Sequence, residues 1–343
     1  MANFEVTVIV VSYKSAALTV QALHSLFAER TAHGLPHAVV LVDNDSGDAP
    51  ALEAAVQLAG YGAWAHVVRA PRNGGFGYGN NLGMSYALSR GAVRHFLLLN
   101  PDAVVRPQAV WRLAKFLDDH PHVGIVGSSF ENEDGSDWPI AFRFPSAWSE
   151  FEGGVEWKLV TRLLRRHVVA VVMPALPARV DWVAGASLMI RADLACSLQG
   201  FDESYFLYFE ETDLCLRARR SGFETWYVPA SRVMHISGQS TKLTERNAAP
   251  KRMPSYWFES RRRYFQVNHG TLHAAIIDLS ALCGLALGTV KRVLLQRRST
   301  GSPRFVRDLA RHSVLAGHLR ALPFQGGLQQ ACEAIDSSRA HPG

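Results

Sequence analysis

The alternation of strand-type and helix-type segments through the first 130 residues restricts the fold more than any other feature of the chain. Runs of β-branched and other apolar residues predict strands at FEVTVIVVSY, HAVVLVDN, AWAHVVR, RHFLLLN and HVGIVGS. Between them, apolar residues at helical spacing predict helices through AALTVQALHSLFAE, from Ala49, through NNLGMSYALSR and from Pro107. This order predicts an α/β fold with a mainly parallel sheet that helices cover on both faces.

Each of the first four predicted strands ends in polar, acidic or glycine-rich residues. These ends are Ser12-Tyr13, VDNDS, RNGGFGYGNN and NPD. The carboxyl ends of parallel strands meet at one edge of a sheet, and folds of this kind bind their ligands there. We therefore expect one ligand site to which all four segments contribute.

The fourth predicted strand ends in LLLNPD, where a proline without an N–H group stops the strand and a carboxylate follows. Asn100 and Asp102 offer hard oxygen ligands, which Mg²⁺ and Mn²⁺ prefer together with phosphate and water. Asn-Pro-Asp is also ordinary turn chemistry. The motif alone does not distinguish a metal site on a nucleotide's phosphates from a turn.

The segments VDNDS and GGFGYGNN each have two interpretations. Asp43 lies nearest its strand and is the better candidate to contact a base or ribose, while one polar residue of VDNDS is expected to cap the next helix. The spacing of Gly75, Gly77 and Gly79 follows the third strand and is not G-x-G-x-x-G, so we reject a dinucleotide fingerprint. What remains is a loop entering a helix, whose N–H groups could face an anion.

Two adjacent carboxylates, Glu210 and Glu211, begin a predicted helix directly after the aromatic run YFLYF. Acidic residues in a first helical turn interact favourably with the helix dipole, and this explanation suits Asp213 best. Aromatic surroundings raise the pKa of a carboxyl group, so Glu210 or Glu211 could serve as a base. His235, at the end of a later predicted strand, carries little weight alone.

Cysteine spacing and the N-terminal residues indicate the compartment. The four cysteines, Cys196, Cys215, Cys283 and Cys332, form no C-x-x-C pair, which disfavours a structural zinc site and a disulfide framework. A reduced, cytosolic chain is the prediction. MANFEVTVIV has no basic residue before its apolar run, so we interpret it as a first strand and not as a signal peptide.

The positive charge is concentrated near the C-terminus. Residues 1–250 contain 22 Lys or Arg and 25 Asp or Glu, whereas residues 251–343 contain 14 and 5. Nucleic acid is not expected as a partner, because no binding motif for it is visible. The apolar stretch 272–290, followed by KRVLLQRR, suits equally a helix in the membrane interface and a helix packed on the core or on a second subunit.

Seven segments, in order, resemble the inverting family 2 glycosyltransferases of GT-A fold, and among them the bacterial rhamnosyltransferases. The segments are VIVVSYKSA, LVDNDS, RNGGFGYGNN, LLLNPD, WVAGASLMIRAD, GFDESYFLYFEETDLCLRARRSGF and MHISGQST. The resemblance covers roughly residues 5–240, and its specificity lies in the ordered set and not in any single motif.

The resemblance implies a role for residues on the donor side. Asp43 matches the acid that contacts the pyrimidine base, and Arg72 lies near that base. Ser12, Asn73 and Gly75 are assigned to the same nucleotide-sugar site.

The resemblance also assigns the metal site and the base. Asn100 and Asp102 match the family's D-x-D motif, with Asp102 binding the metal and Asn100 departing from the strict pattern. Glu210 and Glu211 match a Glu-Asp pair whose second member is the catalytic base, here Glu211. His235 matches a histidine that helps to hold the metal or the diphosphate.

The activity so implied is metal-dependent transfer of a sugar with inversion, using Mg²⁺ or Mn²⁺. We favour L-rhamnose from dTDP-L-rhamnose as the donor and a glycan or lipid-linked hydroxyl as the acceptor. The alternatives are a UDP-linked hexose or galactofuranose donor, or a catalytically silent nucleotide-sugar-binding protein. The expected location is cytoplasmic, with the C-terminal region at the inner face of the membrane or in a homodimer contact.

The predicted organisation has three parts. Residues 1–250 form a GT-A catalytic domain in which 131–178 is a loop-rich insertion. Residues 251–336 form a basic and apolar helical region, and 337–343 a disordered tail.

Overall fold

A computed structural model describes residues 4–33, 35–132, 136–235, 251–296, 302–317, 321–328 and 331–333. The predicted tail, 337–343, lies outside these residues. The strands are β1 (Phe4–Ser12), β2 (His37–Asp43), β3 (Ala65–Arg69), β4 (Val93–Leu99), β5 (Ala103–Val105), β6 (Val123–Glu131), β7 (Asp137–Trp138), β8 (Ala141–Phe142), β9 (Ala178–Val180), β10 (Trp182–Val183), β11 (Ser187–Arg191) and β12 (Glu224–His235). The α-helices are α1 (Ala16–His33), α2 (Ala49–Leu58), α3 (Gly75–Arg90), α4 (Ala109–Asp119), α5 (Ala147–Val155), α6 (Lys158–Leu163), α7 (Ala192–Ser197), α8 (Glu210–Arg220), α9 (Ser255–His269), α10 (Thr271–Leu294) and α11 (Phe305–His312).

The central sheet has the strand order β3-β2-β1-β4-β11-β6-β12-β5. Strands β3, β2, β1 and β4 are parallel, and so are β6 and β12. Strand β11 runs antiparallel between β4 and β6, and β5 pairs antiparallel with β12. The predicted α/β fold with a mainly parallel sheet is therefore confirmed.

The register brings the predicted strand ends to one edge of the sheet. Ser12 at the end of β1 pairs with Asp43 at the end of β2, and Leu99 at the end of β4 pairs with Val10. Because β11 is antiparallel, it begins at this same edge, with Ser187 opposite Leu99. The turn that precedes Ser187 therefore lies beside the NPD segment.

Helix α3 packs very closely on β1 and β2, because glycines face the strands. A Cβ atom added at Gly79 would lie 2.7 Å from Val11 Cγ1, and one added at Gly83 would lie 2.5 Å from Ile9 Cγ2. Gly79 and Gly83 are thus explained by helix–sheet contact, whereas Gly75 and Gly77 approach Phe206 and Phe201.

The predicted loop-rich segment 131–178 contains two helices that the sequence analysis did not predict. Helix α5 begins with a reciprocal capping box, in which Ser146 Oγ accepts from Ser149 N and Ser149 Oγ accepts from Ser146 N. The box uses serine where glutamate or glutamine is usual, so the sequence does not show the usual signature of a helix start. Helix α6 follows after Trp157.

The region after residue 250 is helical, as predicted, and packs on the rest of the chain. The fully buried Arg261 on α9 pairs with Asp278 on α10 at 2.5 Å and with Glu150 on α5 at 2.6 Å. Arg263, also on α9, pairs with the buried Asp202 at 2.5 Å. These ion pairs fix the C-terminal helices against the insertion and against the segment before α8.

The expectation of a fully reduced chain is wrong, because Cys196 and Cys332 form a disulfide bond across 136 residues. The two cysteines meet because the C-terminal segment folds back onto the rest of the chain. Residues 321–328 return to the catalytic part, where Leu328 is fully buried and Gln325 O accepts from Glu203 N. Spacing along the chain gives no sign of such a pair. Cys215 and Cys283 are free thiols.

Candidate active site

The NPD segment is a turn that is hydrogen-bonded to the residue just before β11. Asn100 N donates to Ala186 O at 2.9 Å, and Asn100 O accepts from Ala103 N at 3.2 Å. Asp102 lies inside the turn and is only 1% exposed. The two sequence interpretations, a turn and an acidic site, are thus compatible, because the turn places a carboxylate at the edge where the strand ends meet.

His235 lies beside this turn in the backbone register. It is the last residue of β12 and pairs with Ala103, the residue that follows Asp102. Residues separated by more than 130 positions are therefore neighbours at this edge. The description of His235 extends to its backbone only.

The donor set at this turn fits a metal ion that also binds the substrate. Among the described residues, no group of three or more His, Cys, Asp or Glu side chains could hold a metal ion alone. Mg²⁺ and Mn²⁺ bound to nucleotides commonly use one or two carboxylates together with phosphate and water. Asp102, with Asn100 beside it, provides a set of that size.

Helix α8 begins with the predicted carboxylate pair, after a backbone in an unusual conformation. Tyr208 and Phe209 both have left-handed φ angles, 70° and 69°. Such angles are unfavourable for aromatic residues and concentrate at functional sites. They turn the chain just before Glu210 and Glu211 begin the helix.

Both carboxylates are buried and incompletely hydrogen-bonded. Glu210 is 3% exposed, and the Oε2 atoms of Glu210 and Glu211 accept no hydrogen bond within the part of the chain that the structure describes. A Cβ added at Gly185 would lie 3.8 Å from Glu211 Cβ. Glu211 is therefore close to the turn before β11, which also contacts Asn100.

Burial raises the pKa of both carboxyl groups. The pKa of Glu210 is raised well above its usual value, first by burial and then by the charge of Glu211. The pKa of Glu211 is raised by burial, against the hydrogen bonds of nearby backbone N–H groups, including that of Gly185. The direction of both shifts is the one expected for a carboxyl group removed from water, and its cause is burial. Asp213 differs from them, since it pairs with Arg217 one helical turn later at 2.7 Å.

Asp43 holds the loop between β2 and α2. Its Oδ1 accepts from Ser46 N and Ser46 Oγ at 2.9 and 2.7 Å, and its Oδ2 accepts from Ala49 N at 2.9 Å. Burial opposes its charge, but these hydrogen bonds outweigh burial and keep its pKa below the usual value. Asp43 itself therefore makes the helix-capping contact that was expected of one residue in VDNDS.

Ser12 supports the neighbouring loop. Its side chain is fully buried, and its Oγ donates to Asp48 Oδ2 at 2.6 Å and accepts from Thr19 Oγ1 at 3.0 Å. Any effect of this hydroxyl on a ligand would pass through Asp48.

The segment after β3 is held by two asparagines. Asn73 Oδ1 accepts from Gly75 N and from Asn44 Nδ2, both at 3.1 Å. Gly75 has φ +87°, and a Cβ there would lie 1.7 Å from Phe206 O, so only glycine fits. Arg72 is largely exposed and lies over the Tyr78 ring at 4.3 Å. Asn44 was not predicted, although its place between Asp43 and Asp45 was a signal.

An aromatic surface near the carboxylate pair includes one residue that the sequence analysis missed. Tyr256, on α9, stacks with Tyr208 at 6.2 Å and contacts Phe206 at 5.3 Å between ring centroids. Tyr256 is almost fifty residues from the YFLYF run, so sequence proximity gave no indication. The C-terminal helical region thus contributes directly to the edge that holds the candidate site.

Comparison with known proteins identifies the family. A family model described as glycosyltransferase like family 2 matches residues 2–250. The chain therefore belongs to glycosyltransferase-like family 2, and it is a glycosyltransferase.

The relatives include enzymes named as rhamnosyltransferases. The chain is 27% identical over 232 residues to N-acetylglucosaminyl-diphospho-decaprenol L-rhamnosyltransferase of Mycobacterium tuberculosis, covering 60% of this chain and 68% of the relative. It is 26% identical over 168 residues to rhamnosyltransferase WbbL of Escherichia coli K12, covering 48% and 61%. The predicted resemblance to the rhamnosyltransferases of this family is confirmed.

Solved structures share the fold. The crystal structure of GalNAc-T7 with UDP, GalNAc and Mn²⁺ superposes with a TM-score of 0.55 at 16% identity, covering 94% of this chain and 59% of that one. The predicted GT-A fold is confirmed.

Proposed function

We propose that the protein transfers L-rhamnose from dTDP-L-rhamnose to a hydroxyl group of a glycan or lipid-linked acceptor, with inversion and with Mg²⁺ or Mn²⁺. The observation that carries this proposal is the pair of carboxylate positions at one edge of the sheet. Asp102 lies in the turn after β4, and Glu211 lies beside the turn before β11. The two rhamnosyltransferase relatives support the choice of sugar.

Glu211 is the proposed general base. Its raised pKa brings a carboxylate closer to the range in which general bases work best. As the acceptor oxygen forms its bond to C1 of the donor sugar, Glu211 takes the hydroxyl proton and the bond from C1 to the diphosphate breaks. The pKa of Glu210 is raised well above its usual value, so Glu210 holds its proton more tightly than Glu211, and Glu211 is the proposed charged member of the pair.

Asp102 is the proposed protein ligand to the metal, and His235 is proposed to help at the same turn. Bound there with the diphosphate, a divalent ion would neutralise the charge that develops on the leaving group. Asn100 fastens the turn to Ala186 and so keeps Asp102 in place relative to Glu211.

The proposed donor site continues along the edge toward β3. Asp43, with its ordered loop, and the exposed Arg72 are proposed to contact the pyrimidine base. The hydrogen bond between Gly75 N and Asn73 Oδ1 holds the loop after β3. Ser12 holds Asp48 in the loop after β2.

A lipid-linked acceptor is supported by the name of the mycobacterial relative, which specifies an N-acetylglucosaminyl-diphospho-decaprenol. The proposed location is therefore the cytoplasm and the inner face of the membrane. The aromatic surface of Phe206, Tyr208 and Tyr256 is proposed to bind the acceptor, because it adjoins the carboxylate pair.

A thermal-shift panel tests the donor and the metal together. Ligands that bind only the folded chain raise Tm. We expect the largest rise with dTDP-L-rhamnose and Mn²⁺, a smaller one with dTDP and Mn²⁺, and little without metal. A larger rise in Tm with a UDP-sugar than with dTDP-L-rhamnose would show that dTDP-L-rhamnose is not the donor.

Product analysis tests the reaction. NMR of the disaccharide product should show the anomeric configuration inverted relative to the donor. Donor binding without hydrolysis or transfer, in the presence of a set of glycan and lipid-linked acceptors, would indicate a silent binding protein and overturn the proposal.

A further inference from the structure

Helix α10 has one face packed on the protein and one apolar face exposed. Its buried residues, Ala274, Ile277, Asp278, Ala281, Gly284 and Gly288, face α5 and α9. On the other side, a continuous stripe of apolar side chains is at least half exposed. These residues are Leu272, Ile276, Leu279, Leu287, Val290, Val293 and Leu294.

The C-terminal end of α10 contacts the residues that directly precede helix α6. Lys291 Nζ donates to Val155 O at 3.0 Å, and Arg292 pairs with Glu156 at 3.0 Å. These contacts place the C-terminal end of α10 beside the start of α6. Trp157, Leu159 and Leu163 are exposed there by 54%, 57% and 74%.

Basic side chains accompany these apolar residues. The segment 157–169 contains Lys158, Arg162, Arg165 and Arg166 and no acidic residue. All four are exposed, and none pairs with a carboxylate among the residues placed by the structure. The surface made by α6 and the exposed stripe of α10 thus combines a large apolar area with uncompensated positive charge.

We propose that this surface, here called the α6–α10 face, binds an anionic lipid membrane in the plane of its interface. Tryptophan, leucine and basic residues together are the composition of helices that lie in the headgroup region. Basic side chains near an anionic leaflet add electrostatic attraction to the free energy gained when the apolar side chains enter the membrane interface. The assignment does not depend on the proposed donor or acceptor, because vesicle binding needs neither.

Two other uses of α10 fit the structure less well. The helix is long and apolar enough to cross a membrane, but its inner face carries Asp278, which is buried and paired with Arg261. Crossing would require that pair to break, at high cost. In a two-fold dimer through the α6–α10 face, the same patch would face itself, so its unpaired cations would repel.

Cys283 offers a natural reporter for the test. It is an exposed free thiol within the stripe, whereas Cys215 is buried and the other two cysteines are bonded. An environment-sensitive fluorophore on Cys283 of the full chain should shift to shorter wavelength with phosphatidylglycerol-containing vesicles. It should respond much less to pure phosphatidylcholine vesicles, and high salt should reduce the response.

Charge and apolar variants separate the two contributions in co-sedimentation with the unlabelled chain. R162Q/R165Q/R166Q should bind anionic vesicles roughly 100-fold more weakly, at about fivefold for each cation. L279Q/L287Q should lose roughly tenfold for each leucine. The matched control R90Q/R94Q/K115Q removes three exposed charges elsewhere and should bind as the parent does.

Three results would overturn the proposal. One is equal vesicle binding by the R162Q/R165Q/R166Q variant and the control. Another is a fluorophore shift that depends on protein concentration without vesicles, which would make the face a contact between copies. The third is that the fluorophore responds neither to anionic nor to phosphatidylcholine vesicles.

Discussion

Among single residues, the carboxylate pair at the start of α8 gives the clearest test of the proposed chemistry. We expect Glu211→Gln to keep donor affinity and to lose about 10²–10⁴ in transfer rate, the usual effect of losing a general base. Glu210→Gln should lose much less, because Glu210 is not the proposed base and glutamine keeps the size of the side chain. Glu211→Asp should retain some activity. Steady-state rates with donor titrations measure this, and a larger loss in Glu210→Gln than in Glu211→Gln would exchange the two roles.

The raised pKa of Glu210 also predicts a pH-dependent stability. The folded chain holds the proton of Glu210 more tightly than the unfolded chain, so stability falls as pH rises above the ordinary glutamate pKa. Glu210→Gln removes this loss. We expect its Tm to exceed that of the parent at neutral pH and the difference to shrink as pH falls through the carboxyl range. A difference that is largest in acid would contradict a raised pKa of Glu210 in the folded chain.

Asp102 is tested by its effect on metal-dependent binding. Asp102→Asn keeps the size of the side chain and removes the charge, so we expect the Mn²⁺-dependent part of donor binding to disappear while the fold persists. Isothermal titration with dTDP and Mn²⁺ measures the effect. Asp119→Asn, at an exposed residue paired with Lys115, is the matched control and should bind as the parent does. Equal binding by both variants would remove Asp102 from the metal site.

At the scale of elements, the close contact between α5 and α10 depends on glycine residues, which have no side chain. A Cβ at Gly284 would lie 2.4 Å from Phe151 O, whereas one at Gly153 meets nothing within 4 Å. Gly284→Ala should therefore destabilise the protein by about 1–3 kcal/mol through overpacking. Gly153→Ala should stabilise it by up to about 1 kcal/mol through helix propensity. Urea unfolding compares the two, and equal effects would mean that the helices do not touch as closely as described.

For the whole molecule, the sequence predicted best what depends on short-range pattern. Strands β1 to β4, strand β6 and the helices between them follow from periodicity, whereas the short β5 was not predicted. Strand ends such as Ser12 and Asp43 meet because parallel strands require it. Other features depend on distant partners. Tyr256 reaches the YFLYF run, and Cys196 meets Cys332, only after the C-terminal region has folded back. Local pattern carries no information about such contacts.

The glycines after β3 have a different structural role from the one that the sequence suggested. Its spacing predicted a loop that could face an anion, and the structure uses it for close contact. Gly75 approaches Phe206, and Gly79 approaches Val11. Packing and ligand binding both need small residues, so the sequence could not separate them.

The position of β11 affects how the chain must fold. This strand inserts between β4 and β6, although both precede it by more than fifty residues. Until Ser187 and the residues after it have been synthesised, β4 and β6 each present an unpaired edge of largely buried apolar residues. Sheets closed by such distant segments fold slowly, and their open edges promote aggregation. A nascent chain halted before β11 would therefore depend on chaperones, and the sheet would close only after more than half of the protein has left the ribosome.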